Sequence, residues 1–207
     1  MLERYGCDVL ALDFNGRTEL HGSLSPLLFE FPKLQFLNLK HTEVSGDLAM
    51  LAKCNKLTRL DLSETKVTGD VKVLQNLKWL THIYLRDTQV TGELEAFKNA
   101  LLLETLDLCR TKVTGDLQAL QNAEKLRDLS LALTKVEGDI KALHKVTSLK
   151  NLYLQNTNVS GHMASLRGTQ LFEVNITGTR ITGAFFLFPE SLARVLPYGS
   201  LCKGVEI

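Results

Sequence analysis

The sequence lacks a long apolar run, a cysteine pair and an excess of charge of either sign. No stretch approaches the roughly 20 apolar residues that a membrane span requires, so direct membrane insertion is not expected. The four cysteines, Cys7, Cys54, Cys109 and Cys202, are scattered without a CxxC pair. Their spacing offers neither a zinc site nor a disulfide framework, and free thiols fit a reducing compartment. Lys plus Arg number 24 against 23 for Asp plus Glu, a net charge of +1. Non-specific nucleic-acid binding needs a clear positive excess to displace counterions, and this chain has none. Glu3, Arg4 and Asp8 interrupt the opening residues, so no secretory signal is read there. An intracellular, cytoplasmic chain is expected, and the sequons at Asn158 and Asn175 then read as chance.

Catalytic signatures are missing as well. There is no HExxH, no GxSxG, no Walker A loop and no GxGxxG behind a strand. Five histidines, His21, His41, His82, His144 and His162, fall at unrelated positions. Cys109 stands beside Arg110, the setting of an activated thiolate, but no histidine accompanies it. No catalytic residue, metal site or cofactor is expected, and the chain is read as no enzyme.

What the sequence does have is a repeated phrase: LDLSETKVTGDVKVL at 60–74 returns as LDLCRTKVTGDLQAL at 106–120. The period is 23 residues, with units starting at Leu34, Leu57, Leu80, Leu103, Leu126 and Leu149. A further unit starts at Leu171 after 22 residues, and a looser one near Val9, making eight. Self-similarity at such a period is the mark of a solenoid. With hydrophobic residues at 44% and charged residues at 23%, the chain can fill a core.

Each unit reads L-x-x-L-x-L-x-x-T-x-V-x-G-D-L-x-x-L. This resembles the leucine-rich-repeat family over residues 9–192, in a form similar to its plant-type class. Thr stands where that class has Asn, and Gly-Asp where it has Gly-x-Ile-Pro. The resemblance implies an α/β solenoid with a curved parallel sheet on the concave side and short α or 3-10 helices on the convex side. The residues predict the same independently. Leu106 and Leu108 flank Asp107, the alternation of a strand with one buried face. One such strand cannot bury its apolar face alone, so neighbouring units must complete the core. A glycine recurs at Gly22, Gly46, Gly69, Gly92, Gly115, Gly138, Gly161 and Gly183, a position calling for positive φ or close backbone approach. Asp47, Asp70, Asp116 and Asp139 follow it, with Glu93 in the fourth unit. They are expected to cap short helical turns rather than bind metal. The threonines Thr18, Thr42, Thr65, Thr88, Thr111, Thr134, Thr157 and Thr179 form a column whose hydroxyls need partners once buried. They are expected to donate to a carbonyl of a neighbouring unit and accept from an amide of their own turn.

At the ends the pattern loosens. Leu192 and Val195 are placed to begin a ninth strand, and Pro197 stops it. Phe185, Phe186 and Phe188 are expected to close the core, and residues 193–207 to form a C-terminal cap.

The variable positions between the leucines face outward. The centre of that face supplies the candidate contact residues Arg59, Asp61, His82, Tyr84, Arg86, Asp87, Asp107, Arg110, Asp128 and Tyr153. Tyr and Arg are the usual anchors of protein interfaces. A non-enzymatic module or scaffold binding a protein or peptide is the leading expectation. The alternatives are a structural subunit of a large assembly, or the substrate-recognition region of a larger enzyme such as a ubiquitin ligase or receptor kinase. The row Glu43, Lys66, Gln89, Lys112, Lys135, Asn158 and Arg180 reads as a solvated rim, and Trp79 as half-buried packing or an exposed anchor.

Overall fold

The structure, a computed structural model, describes residues 9–24 and 31–183 and the strand Arg194–Val195. Phe185, Phe186, Phe188 and most of the expected C-terminal cap lie outside the described residues.

The third unit shows how the repeat folds. Leu57, Leu60, Leu62, Val67, Val71, Leu74 and Leu77 all point inward, each no more than 4% exposed. Burying each such side chain favours folding by about 1.5–3 kcal/mol, but only if units on either side close the core. Arg59–Asp61 is the strand of this unit, and it pairs in parallel with Phe36–Asn38 before it and His82–Tyr84 after it. The register sets Leu37, Leu60 and Ile83 side by side. The same pairing runs through nine strands, from Ala11–Asp13 to Arg194–Val195, with every neighbour one unit away. This is the concave sheet, and Arg194–Val195 extends it past the eight units, where Val174 meets Val195.

The ladder continues beyond the strands. Leu62 N–H donates to Tyr84 O at 2.9 Å and Glu64 N–H to Arg86 O at 2.8 Å. To make the second bond the chain turns left-handed, with Glu64 at φ 57°. His41, Asp87, Arg110, Leu133 and Asn156 take the same conformation in their own units.

Each unit also carries a second strand, which the leucine pattern did not announce. Lys66–Asp70 alternates exposed and buried side chains around Val67. These segments build an edge sheet beside the concave one. It comes as two four-stranded pieces, His21–Ser23 to Gln89–Thr91 and Thr114–Asp116 to Arg180–Thr182. At the junction only an isolated bridge, Glu93 to Thr114, is paired.

The crossover is then a 3-10 helix in each of six successive units, from Leu48–Lys53 to Met163–Leu166. As expected, the aspartates cap them. Asp47, Asp70, Asp116 and Asp139 each accept from the amide two residues on, at 2.7–2.8 Å. His162 does the same through Nδ1 to Ala164 N–H at 3.1 Å. Glu93 does not cap. The glycine of the next unit explains the fixed Gly-Asp pair. A Cβ at Gly69 would collide with Asp47 Oδ1 of the unit before it, and φ is +106°. The glycine therefore makes room for its neighbour's cap.

The threonine column corrects one expectation. Thr65 Oγ1 donates to Leu62 O at 2.7 Å, three residues back in its own unit. Thr42, Thr88, Thr111, Thr134, Thr157 and Thr179 repeat this local bond, whereas Thr18, in the irregular first unit, is exposed. The hydroxyl is too short to span to a neighbour from a turn whose own carbonyl lies within reach. The expected acceptance holds in part: Val113 N–H reaches Thr111 Oγ1 at 3.5 Å and Ile181 N–H reaches Thr179 Oγ1 at 3.3 Å.

Candidate functional site

The ten candidate residues all stand on or beside the concave sheet, in strands or in the left-handed turns just after them. The wall has a packed floor and a more open layer. Asp61, Tyr84, Asp107 and Tyr153 occupy one column across the strands and are only 5%, 5%, 3% and 8% exposed. Their outward direction does not make them protrude, because strands about 4.8 Å apart press side chains of one column together. Arg59, His82, Arg86, Asp87 and Asp128 are half-buried, and Arg110 is exposed.

Arg59 is held by rings. Its guanidinium carbon lies 5.6 Å from the centre of Phe36 and 5.4 Å from that of Tyr84, both within cation–π range. His82 stacks on Tyr84 at 6.4 Å. Burial, and then the Arg59 charge, push the His82 imidazole toward its neutral form. Phe36 belongs to this cluster although it was not among the ten. Its outward strand position was legible, but its role as a platform for Arg59 depends on the register between units.

A second cluster joins two neighbouring units. Arg86 Nε lies 3.8 Å from Asp107 Oδ2 and 4.0 Å from Asp87 Oδ2. Arg110 Nη1 lies 3.4 Å from Asp87 Oδ1. Asp107 also accepts from Cys109 N–H at 2.9 Å, and Asp61 accepts from Ser63 N–H at 3.0 Å. Burial raises the pKa of both carboxyls above the ordinary value, and these hydrogen bonds and cations only partly counter it. Asp128 stands one unit further along, bonded to Thr105 Oγ1 at 3.4 Å and Asn151 Nδ2 at 2.5 Å. Tyr153 lies beyond Ser130, in the next strand of the column, away from both clusters.

Elsewhere, Cys54 and Cys109 are buried, Arg86 Nη2 donates to Cys109 Sγ at 3.7 Å, and burial raises the Cys54 pKa. Trp79 is 55% exposed and Leu101 57% exposed, both at the rim where the chain enters the concave strands. No helix among the described residues is long and apolar enough to cross a membrane.

Comparison with known proteins supports the repeat assignment. A scan against protein-family models and a search of curated proteins return no match. Solved structures do match. The chain is similar to part of a PEPR1–AtPEP1 crystal structure at 31% identity, with a TM-score of 0.74, over 84% of this chain and 26% of that one. It is similar to the leucine-rich-repeat ectodomain of the membrane receptor kinase GASSHO1/SCHENGEN3 from Arabidopsis thaliana at 22% identity, TM-score 0.70, over 82% and 21%. It is similar to an internalin C2 from Listeria monocytogenes at 21% identity, TM-score 0.66, over 84% and 74%. The chain thus spans about a quarter of the length of the two plant chains. With its repeat, its parallel ladder and these likenesses, the chain has the leucine-rich-repeat solenoid fold.

Proposed function

We propose that the protein is a non-enzymatic binding module that receives a protein or peptide on its concave wall. One observation carries the reading: Arg59, Arg86 and Arg110 are held in place before any partner arrives, by aromatic faces and by Asp87 and Asp107. Held side chains have less freedom to lose on binding, which lowers the cost of association. Asp61, Tyr84 and Asp107 serve as the floor. His82, Asp87 and Asp128 flank the arginines, and Tyr153 extends the floor toward the C-terminal units. Support comes from the similarity to the PEPR1–AtPEP1 structure.

The test is affinity capture from the native source with mass spectrometry, followed by titration of the captured partner. Arg59→Ala with Arg110→Ala should weaken its binding by more than about 1 kcal/mol with the melting temperature kept. A partner that binds the double variant as tightly as the wild type overturns the concave-wall reading.

Two alternatives have observations in their favour. Exposed Trp79 and Leu101 lie off the concave wall and suit a subunit clamped at its rim within a larger assembly. The similarity to part of a receptor-kinase ectodomain suits a recognition region within a longer chain. That likeness, and the plant neighbours generally, also favour the plant-type repeat class. We read the compartment as intracellular on the sequence and its scattered cysteines, and fractionation of the native protein tests it against the setting of that ectodomain.

A further inference from the structure

The edge sheet and the caps fail at the same place. The fourth unit carries Glu93 where its neighbours carry aspartate, and its helix Leu94–Phe97 has no side-chain cap bond. One extra methylene moves the carboxylate past the amide that Asp70 and Asp116 reach in the units on either side. Glu95, in the first helical turn, is drawn instead to Lys98 Nζ at 2.8 Å. The consequence reaches the next unit. Gly92, Gly138 and Gly161 each lie against the carboxylate of the preceding unit's cap, while Gly115 faces only Leu94 N, at 3.0 Å from where its Cβ would be, and the Glu93 stem. At this joint the edge sheet divides into its two four-stranded pieces. Two backbone bonds still tie them, Lys112 N–H to Val90 O at 3.0 Å and Thr114 N–H to Gly92 O at 2.9 Å. Clefts of about 560 and 300 Å³ open on either side of Glu93, and Glu93 and Glu95 line both.

We propose that the Glu93 turn is a weak point built into the array, opening locally before any of the capped turns beside it. In a solenoid each unit is held only by itself and its neighbours, so a missing cap lowers local stability without being averaged over the whole chain. The unit that carries this turn also carries His82, Tyr84, Arg86 and Asp87 on its concave strand and the turn after it. The back of the candidate site is thus its most easily opened part.

Native-state hydrogen exchange on the whole chain tests this without any partner, so its outcome is separate from that of the binding proposal. Amides of Leu94–Phe97 should exchange about fivefold faster than those of Leu117–Leu120 and Ile140–Leu143, the ratio expected for one cap. Glu93→Asp should slow them to the rate of their neighbours, while exchange in the concave strands stays unchanged. Asp116→Glu should move the fast exchange to Leu117–Leu120. Equal exchange in the three wild-type segments overturns the proposal, and so does a Glu93→Asp chain with Leu94–Phe97 still fast. Glu93→Asp only adds a bond, so the test stands even if Asp116→Glu fails to fold.

Discussion

The concave sheet and the edge sheet are made by the same units, yet one runs unbroken through nine strands and the other divides into two fours. The difference lies in what each requires of its side chains. The concave strands need only leucine-like residues at alternating positions. Leu60, Ile83, Leu106, Leu129 and Leu152 all satisfy this, with at most 1% exposure. The edge sheet depends on a cap of defined reach in one unit and a side-chain-free backbone in the next. Apolar burial tolerates substitution of similar volume, but a cap bond does not tolerate an added methylene. The concave sheet is held by packing and stays whole, while the edge sheet divides at the unit without a side-chain cap bond, where two backbone bonds remain.

The largest effect that would sharpen this contrast is a pair of glycine substitutions. Gly138→Ala places a methyl against Asp116 Oδ1 and forces alanine to φ +105°. The backbone strain alone costs about 1–2 kcal/mol, and displacing the Asp116 cap adds about 1 kcal/mol. Gly115→Ala has the same φ of +105° but no carboxylate beneath it, so it should cost less, by about the value of the cap. Urea unfolding of both variants measures the difference. Equal losses would mean that the glycine column is fixed by backbone conformation alone, and not by the cap of the unit before.

A pH titration probes the other sheet. Burial raises the pKa of Asp61 and Asp107 in the folded chain, so the folded state holds those protons to higher pH than the unfolded state does. Where the folded state binds more protons, stability falls as pH rises. Their contribution is therefore fully present below the ordinary carboxylate value and is lost as pH climbs through the raised one. Asp61→Asn with Asp107→Asn should remove that decline, so the variant gains stability relative to the wild type as pH increases across this window. Unfolding free energies measured from pH 3 to pH 8, as approximate bounds of the carboxylate range, decide it. A difference independent of pH would show that the two carboxyls are not perturbed.

Much of this was legible in the sequence, for a physical reason. Leu57, Leu60 and Leu62 announce a buried strand through their spacing alone, and Asp70 ahead of Val71 and Leu74 announces a capped turn. Both are local signals, repeated until chance is excluded. The edge strand at Lys66–Asp70 was less visible, because its alternation turns on the single buried side chain of Val67. The concave wall was legible in direction but not in exposure. Tyr84 faces outward as its position requires, yet neighbours one unit away cover it, and burial of that kind depends on lateral packing. The pairing of Arg86 with Asp107 and of Arg110 with Asp87 follows from register across units, 21 and 23 residues apart in sequence. The threonine bonds were misplaced for a related reason: the column suggests a ladder, but Leu62 O lies closer to Thr65 than any neighbour does.

The smallest expected effect tests the turn that links the two sheets. Six non-glycine residues hold φ between 53° and 58° there, and Leu133 is the one with a large apolar side chain, 40% exposed. Its amide donates to Gln155 O at 2.9 Å, which is what the left-handed turn secures. Asparagine visits this conformation at less cost than leucine, and Asn156 already does so in the next unit. Leu133→Asn keeps the amide bond, relieves part of the strain and removes an exposed apolar side chain. It should stabilise the chain by about 0.5–1 kcal/mol, a fraction of the left-handed penalty. A loss of stability on this substitution would mean that the Leu133 side chain packs against the wall strongly enough to outweigh its backbone, and that the turn belongs energetically to the concave sheet rather than to the joint between the two.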